Sequence, residues 1–224
     1  MDGVLNEMEV RVLGSLMEKQ ITTPDYYPLT LNAVMHACNQ LSNREPVVSY
    51  DEPAIARALE RLQLRNMVYV FYGSDSRVPK YKQMMTTILH LGPPETAVMC
   101  VMMLRGPQTV GELRGRCARL YEFADLAEVE TTLEGLMARD DDDPPLAVRL
   151  PRQSGRKESR YAHTLAGEIA LPEQDELPTL TKPHPRHAPA EDERIPQLES
   201  KVETLRHELD ELKQQFAHFK KQFD

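Results

Sequence analysis

Hydrophobic positions recur along the chain in two kinds of spacing. Met8, Val12, Leu13 and Leu16 fall three and four residues apart, as do Leu31, Val34, Met35 and Cys38, and then Ile55, Ala58, Leu59 and Leu62. Each set predicts one apolar face of a helix. Thr30 and Asp51 stand where a helix start needs a side-chain acceptor, and Pro53 suits the first turn of the third helix. The spacing then changes. Met67-Val68-Tyr69-Val70-Phe71-Tyr72 is rich in β-branched and aromatic residues, Gly73-Ser74-Asp75-Ser76 is turn-forming, and Arg77-Val78-Pro79-Lys80-Tyr81 returns, which predicts a hairpin. The same order follows downstream, with helices near 94–104, 109–120 and 125–138. Its hairpin runs over Leu146-Ala147-Val148-Arg149-Leu150, turns at Gln153-Ser154-Gly155 and returns at Ser159-Arg160-Tyr161.

The recurrence is a repeat with a period of roughly eighty residues, the size of a domain and too long for a solenoid unit. Glu9–Met17 lies over Glu95–Met103; Pro28, Thr30, Cys38 and Leu41 lie over Pro107, Thr109, Cys117 and Leu120 at an offset of 79; Leu59, Glu60 and Leu62 lie over Leu133, Glu134 and Leu136 at an offset of 74. The offset drifts because connecting loops tolerate insertion. Three helices and a hairpin, twice, predict a mainly α (α+β) protein of two tandem winged-helix domains, at 1–85 and 86–170.

The remainder has a different pattern. Residues 171–194 carry Pro172, Pro178, Pro183, Pro185 and Pro189 among charges and read as an extended linker. In 195–224, Ile195, Leu198, Val202, Leu205, Leu209, Leu212, Phe216, Phe219 and Phe223 step by three and four without a break. That is the a/d seam of a coiled-coil helix. A lone helix would leave the stripe wet, so Ile195–Phe223 predicts a homo-oligomer, by default a dimer, with docking back onto the modules as the alternative.

Charge narrows the functional classes. The formal net charge is -8, and it falls as -1 over residues 1–83, -3 over 84–170 and -4 over 171–224. This opposes strong non-specific binding of nucleic acid while leaving room for a local basic patch. No run is long and apolar enough for a membrane helix, and the first residues lack the pattern of a signal peptide. Cys38, Cys100 and Cys117 sit inside apolar helical patterns without a CxxC pair. They read as reduced core thiols, hence a cytoplasmic setting.

The sequence contains no GxSxG, HExxH, P-loop or Rossmann glycine pattern, and His36, His90 and His163 stand apart without paired acids. The expectation is a protein that is not an enzyme and takes no cofactor or metal. Two polar stretches stand out: Thr22-Thr23-Pro24-Asp25-Tyr26-Tyr27-Pro28, and Asn39-Gln40-Leu41-Ser42-Asn43-Arg44-Glu45-Pro46. Such residues cap helices and make turns. They equally suit a binding surface of Asn39, Gln40, Ser42, Asn43 and Arg44, with Arg44 as an exposed anchor that forks onto an anion. For nucleic acid, the third helix of the first copy offers Arg57, Arg61 and Gln63, and its hairpin offers Arg77, Lys80 and Lys82. The third helix of the second copy is acidic, with Asp125, Glu128, Glu130 and Glu134 followed by Asp140-Asp141-Asp142-Asp143. The second hairpin is basic, with Arg149, Arg152, Arg156, Lys157 and Arg160.

Several segments carry a family resemblance: Arg11-Val12-Leu13-Gly14-Ser15-Leu16-Met17-Glu18-Lys19, Thr22 through Asn32, Ala37-Cys38-Asn39-Gln40, Ser42-Asn43-Arg44, Leu104-Arg105-Gly106-Pro107-Gln108-Thr109 and Lys157-Glu158-Ser159-Arg160-Tyr161. Over about residues 5–165 the chain resembles the YceH-like bacterial proteins, a group of unknown function with tandem winged helices. The resemblance implies the fold and no activity, because a fold does not fix a function. Two expectations follow. One is a dimeric DNA-associated regulator; the other is a protein-interaction adaptor that uses the modules as docking surfaces.

Overall fold

Asn6 opens the first helix by accepting a hydrogen bond from the Glu9 amide at 2.9 Å, while Glu9 accepts one from the Asn6 amide at 3.0 Å. Two backbone donors that a helix start leaves bare are thereby satisfied. This helix, α1 (Glu7–Thr22), is buried on every side from Glu9 to Glu18. The description comes from a computed structural model and covers residues 4–72, 78–139, 143–152 and 158–167. About half of these are helical, with small antiparallel sheets. None of the helices among them is long and apolar enough to cross a membrane. The linker at 171–194, the seam Ile195–Phe223, and Arg77, Arg156 and Lys157 lie outside the described residues.

In the first copy, α2 (Leu31–Cys38) is capped by Thr30, which accepts from the Ala33 amide at 3.4 Å; α3 (Glu52–Leu64) is capped by Asp51, which accepts from the Ala54 amide at 2.8 Å. The hairpin strands are β2 (Val68–Phe71) and β3 (Lys80–Gln83), and a two-residue strand, β1 (Leu29–Thr30), pairs with the other side of β3. The third strand was not expected, since two residues carry no readable period. The return strand starts at Lys80 rather than Arg77 because Pro79 has no amide to give a ladder.

A single turn, α4 (Met85–Ile88), leads to the second copy: α5 (Pro93–Arg105), α6 (Val110–Cys117), α7 (Leu126–Met137), β4 (Ala147–Arg149) and β5 (Tyr161–His163). Gln108 bridges to Tyr161 in the place where Leu29 faces Tyr81 in the first copy. The return strand begins at Tyr161, its expected last residue, and pairs Ala147 with His163. Helix α6 stops at Cys117 rather than 120, where the Leu120 amide turns back to the Cys117 carbonyl.

The two copies share one core. Leu13, Leu16, Ile55, Leu59 and Leu62 join Met99, Met102, Leu113, Leu133 and Leu136 in a continuous buried cluster. Cys38, Cys100 and Cys117 are buried free thiols. Burial pushes the thiol of Cys38 up to about 11 and that of Cys117 up to about 12. The two copies meet where α1 crosses α5. A Cβ on Gly14 would lie 3.0 Å from Leu104 Cδ2 and 3.1 Å from Met103 Cβ, so only glycine lets the helices approach this closely. Cys100 Sγ lies 3.5 Å from the Gly14 carbonyl, to which it donates. The overlay of Glu9–Met17 on Glu95–Met103 sets Gly14 over Cys100, so equivalent positions of the two copies touch.

Candidate functional site

Glu18 is the organising group of the junction. It sits near the end of α1 with its carboxylate fully buried. Arg44 reaches it from the loop after α2, donating from Nη1 to Oε1 at 3.0 Å and from Nη2 to Oε2 at 2.6 Å. Arg119, just past α6, donates to the same Oε1, and Lys19 stands 3.9 Å from Oε2. Burial alone would raise the Glu18 pKa, but the hydrogen bonds and charge of Arg44, with the charges of Arg119 and Lys19, hold it below the ordinary carboxylate value. One carboxylate thus ties both copies together.

The expectation of Arg44 as an exposed anchor is corrected. Its side chain is fully buried. Beyond Glu18 it donates to the Ala37 carbonyl from Nε at 3.1 Å and Nη2 at 2.7 Å, to the Asn43 carbonyl at 2.9 Å and to Gln40 Oε1 at 3.1 Å. The guanidinium has its donors committed inside the protein, which is what a buried charge requires. The neighbouring expectations change with it. Asn39 acts as a backbone mimic, donating to the Tyr50 carbonyl at 2.8 Å and accepting from the Tyr50 amide at 2.9 Å. Ser42 is exposed and Asn43 half-buried, in the left-handed region at φ 59°. The Thr22 and Thr23 hydroxyls donate back to the carbonyls of Glu18 and Lys19, so that stretch ends α1 locally. The loop is further pinned where Arg11 Nη2 donates to the Pro46 carbonyl at 2.7 Å and the Glu45 amide to the Leu104 carbonyl at 2.9 Å.

Beside Glu18 a small crevice of about 10 Å³, room for roughly one water, lies between the copies. Its polar lining is Glu18 and Asn43 from the first copy and Arg105, Arg116 and Arg119 from the second. Arg116 donates to Gln108 Oε1 and lies 3.6 Å from Glu112, a carboxylate that also takes Arg160 at 3.0 Å. Arg105 Nε is buried without a hydrogen-bond partner. Burial, and then the neighbouring guanidinium of Arg116, lower the Arg105 pKa. Sequence reasoning missed Glu18, Arg105, Arg116 and Arg119 as a group, because they come from three separate segments and each looks like an ordinary helix-end charge.

The nucleic-acid candidates sit elsewhere. Directly opposed residues of an antiparallel pair share a face, and the register opposes Tyr69 to Lys82 and Phe71 to Lys80. These four therefore line one face of the first hairpin. Tyr69 is 59% exposed and Phe71 45%, while Val68 and Gln83 on the other face are buried. On α3, Arg57 and Gln63 are exposed, as expected. Arg61 is not free: its Nε pairs with Glu9 at 2.9 Å. In the second copy Arg149 and Arg152 are exposed. Glu128 faces inward to its own helix start, accepting from the Tyr121 hydroxyl at 2.7 Å and the Ala124 amide at 2.8 Å.

Residues 5–156 match a family model described as "Protein of unknown function, DUF480". Across its full length the chain is 50% identical to a UPF0502 protein of Geotalea uraniireducens and 46% identical to a UPF0502 protein of Pelobacter propionicus, each of which it also covers completely. It is 48% identical over 203 residues to a UPF0502 protein of Opitutus terrae, which spans 91% of this chain and 84% of that one.

Proposed function

The chain belongs to the DUF480 family of proteins of unknown function, and on that footing we propose that it is a non-catalytic, DNA-associated regulator built from tandem winged-helix modules. The repeated order of three helices and a hairpin supports the modules, and the bridge from Gln108 to Tyr161 beside the pairing of β1 with β3 supports their equivalence. The observation that carries the DNA reading is the open face of the first hairpin. Tyr69 and Phe71 offer exposed rings to pack against the sugar backbone, and Lys80 and Lys82 offer ammonium groups to phosphates, beside an α3 that exposes Arg57. The buried thiols suit a reducing, cytoplasmic setting. In this reading the Ile195–Phe223 helix pairs two chains, and deleting residues 190–224 leaves folded monomers by light scattering.

The test is fluorescence anisotropy with labelled genomic duplexes at about 50 and 200 mM salt. Phosphate contacts make binding fall steeply with salt. Reversing Lys80 and Lys82 to Glu should weaken it at least tenfold, while Glu130→Lys on α7 should leave it intact or strengthen it. Binding that survives the lysine reversals overturns the assignment of the hairpin. The second reading, a protein-docking adaptor, draws on Tyr69 and Phe71 standing exposed on β2, an edge strand of its sheet, and on the exposed Tyr72 that follows it. Absence of any DNA shift at low salt favours it.

A further inference from the structure

We propose that the outer edge of β2 takes up one more strand, from a segment of a partner protein that alternates acidic and apolar residues. The proposal rests on the docking-adaptor reading of the hairpin and names its ligand. The ladder decides which backbone groups face outward, because bonded and non-bonded residue pairs alternate along an antiparallel pair. The Met84 amide donates to the Met67 carbonyl at 2.8 Å, so with Val68 opposite Gln83 the bonded pairs are Met67 with Met84, Tyr69 with Lys82 and Phe71 with Lys80. The Gln83 amide accordingly points away from β2 and donates to the Tyr27 hydroxyl at 2.7 Å. Val68 and Val70 therefore turn their own amides and carbonyls away from β3. Val68 is buried where the strand leaves α3, but Val70 is half-buried and Phe71 and Tyr72 are exposed. Among the described residues no strand lies beyond β2. Bare edge groups of this kind are a template for another strand.

The edge also lacks the devices that block such pairing. Met67 to Tyr72 holds no charge, proline or glycine. Its counterpart in the second copy, β4, is shorter, ends in the charge of Arg149 and stands between Pro145 and Pro151. The second copy thus blunts the edge that the first leaves open. Charge and pattern then choose the occupant. Successive residues of an added strand point to opposite faces. One set stands beside Tyr69 and Phe71, on the face that carries Lys80 and Lys82, and there carboxylates are favoured. The other set stands beside Val70, and there apolar side chains are favoured. A second copy of this edge brings no carboxylate and leaves the lysines unanswered. A DNA backbone meets the lysines but has no amide and carbonyl to pair with those of Val70.

The experiment uses the full chain and a fluorescein-labelled peptide of about eight alternating glutamate and valine residues, an ordinary strand length. Anisotropy should give a saturable isotherm. A lysine–valine peptide, and the glutamate–valine peptide N-methylated at every residue, should each bind at least tenfold more weakly. Val70→Pro should lose at least tenfold in peptide affinity with little change in the midpoint of thermal unfolding, because the amide it removes makes no bond to β3. Lys82→Glu should weaken the glutamate–valine peptide at least tenfold and bring in the lysine–valine one, and it carries the test if Val70→Pro unfolds. A labelled duplex is titrated beside the peptide, and Val70→Pro should bind it as the parent does, since DNA has no strand to add. A parent chain that does not bind the peptide, or peptide binding that survives both N-methylation and Val70→Pro, overturns the proposal; duplex binding by the same protein then leaves the face to nucleic acid. Absence of duplex binding with the peptide effects intact supports the added strand and overturns the DNA reading alone.

Discussion

The two copies build the same framework and differ in what they bury at their junction. Both first helices open with a glutamate in their first turn returning a bond to the capping residue's amide, Glu9 to Asn6 and Glu95 to Gly92. Both second helices are capped by a threonine, and in both a residue just before that helix pairs with a tyrosine of the return strand. Extending the overlay of α1 on α5 by one residue sets Glu18 over Leu104, both fully enclosed. The first copy carries a charge there, with an Arg44 loop to neutralise it; the second carries a leucine and only a short turn between α6 and α7. Backbone requirements are common to both copies, whereas the buried carboxylate and the Arg44 loop that neutralises it come from the first alone, with Arg119 as the second copy's contribution.

The sharpest way to break this comparison is Arg44→Ala. It leaves the carboxylate of Glu18 and the Ala37 carbonyl under-satisfied in the interior, and should cost about 3–5 kcal/mol in urea unfolding. Pairing Arg44→Leu with Glu18→Leu, which gives the first copy the second copy's residue, should recover most of that loss, because a well-packed apolar pair substitutes for a buried ion pair. A loss for Arg44→Ala no larger than that of the exposed Ser42→Ala, under about 0.5 kcal/mol, would refute the structural role. Next in size is Gly14→Val. The added atoms press on Leu104 and Met103, and the expected loss is about 1–3 kcal/mol, read from the midpoint of thermal unfolding.

A third test uses acid. His163 and Gln83 end the return strands of the two copies, opposite Ala147 and Val68. Gln83 does not titrate. Burial pushes the His163 imidazole down to about 4, and its Nδ1 has no hydrogen-bond partner. Its folded pKa lies below its unfolded value of about 6.5, so the stability it contributes is present above that value and is lost as pH falls toward 4. The expected loss is on the order of 1–2 kcal/mol across that window, after discounting for partial exposure. His163→Gln, the residue of the first copy, should flatten the slope there. Glu18, held low, adds a separate loss that begins only below its unfolded value near 4.5. Identical curves for the parent and His163→Gln between pH 7 and 5 would remove the imidazole from the account.

The smallest effect separates the caps. Thr109 accepts from the Glu112 amide at 3.2 Å and Glu112 returns a bond to the Thr109 amide at 2.9 Å; Thr30 has Ala33 in the corresponding place and makes a single bond of 3.4 Å. Thr109→Ala should cost about 1 kcal/mol, and Thr30→Ala a few tenths less. Equal losses in paired urea titrations would show that the reciprocal bond adds nothing.

The framework was legible because its signals are local. Apolar spacing, the threonine and aspartate caps and the turn residues each act within a few positions, so six helices and both hairpins could be read from the chain. The β1 strand was not, since two residues show no period, and the second return strand was placed two residues early by weighting Ser159 and Arg160. The site failed for a different reason. Whether Arg44 is solvated or buried depends on a carboxylate 26 residues away. That carboxylate, in Met17-Glu18-Lys19-Gln20, has the look of a helix leaving the core. The three arginines of the crevice carried no mark of convergence either, because convergence is a property of how α1 crosses α5.

That crossing has the form of a two-fold homodimer contact written into one chain. Gly14 meets its own counterpart, Cys100, and also Leu104, the counterpart of Glu18, while Glu18 lies with Cys100 along the crevice wall. In a symmetric dimer every substitution appears twice. A glutamate at position 18 would then face the same environment from both subunits, placing two carboxylates on either side of the axis, each needing its own arginine. Joining the halves covalently removes that constraint: one half can take on charge while the other stays apolar, and a crevice can form that is unlike on its two walls.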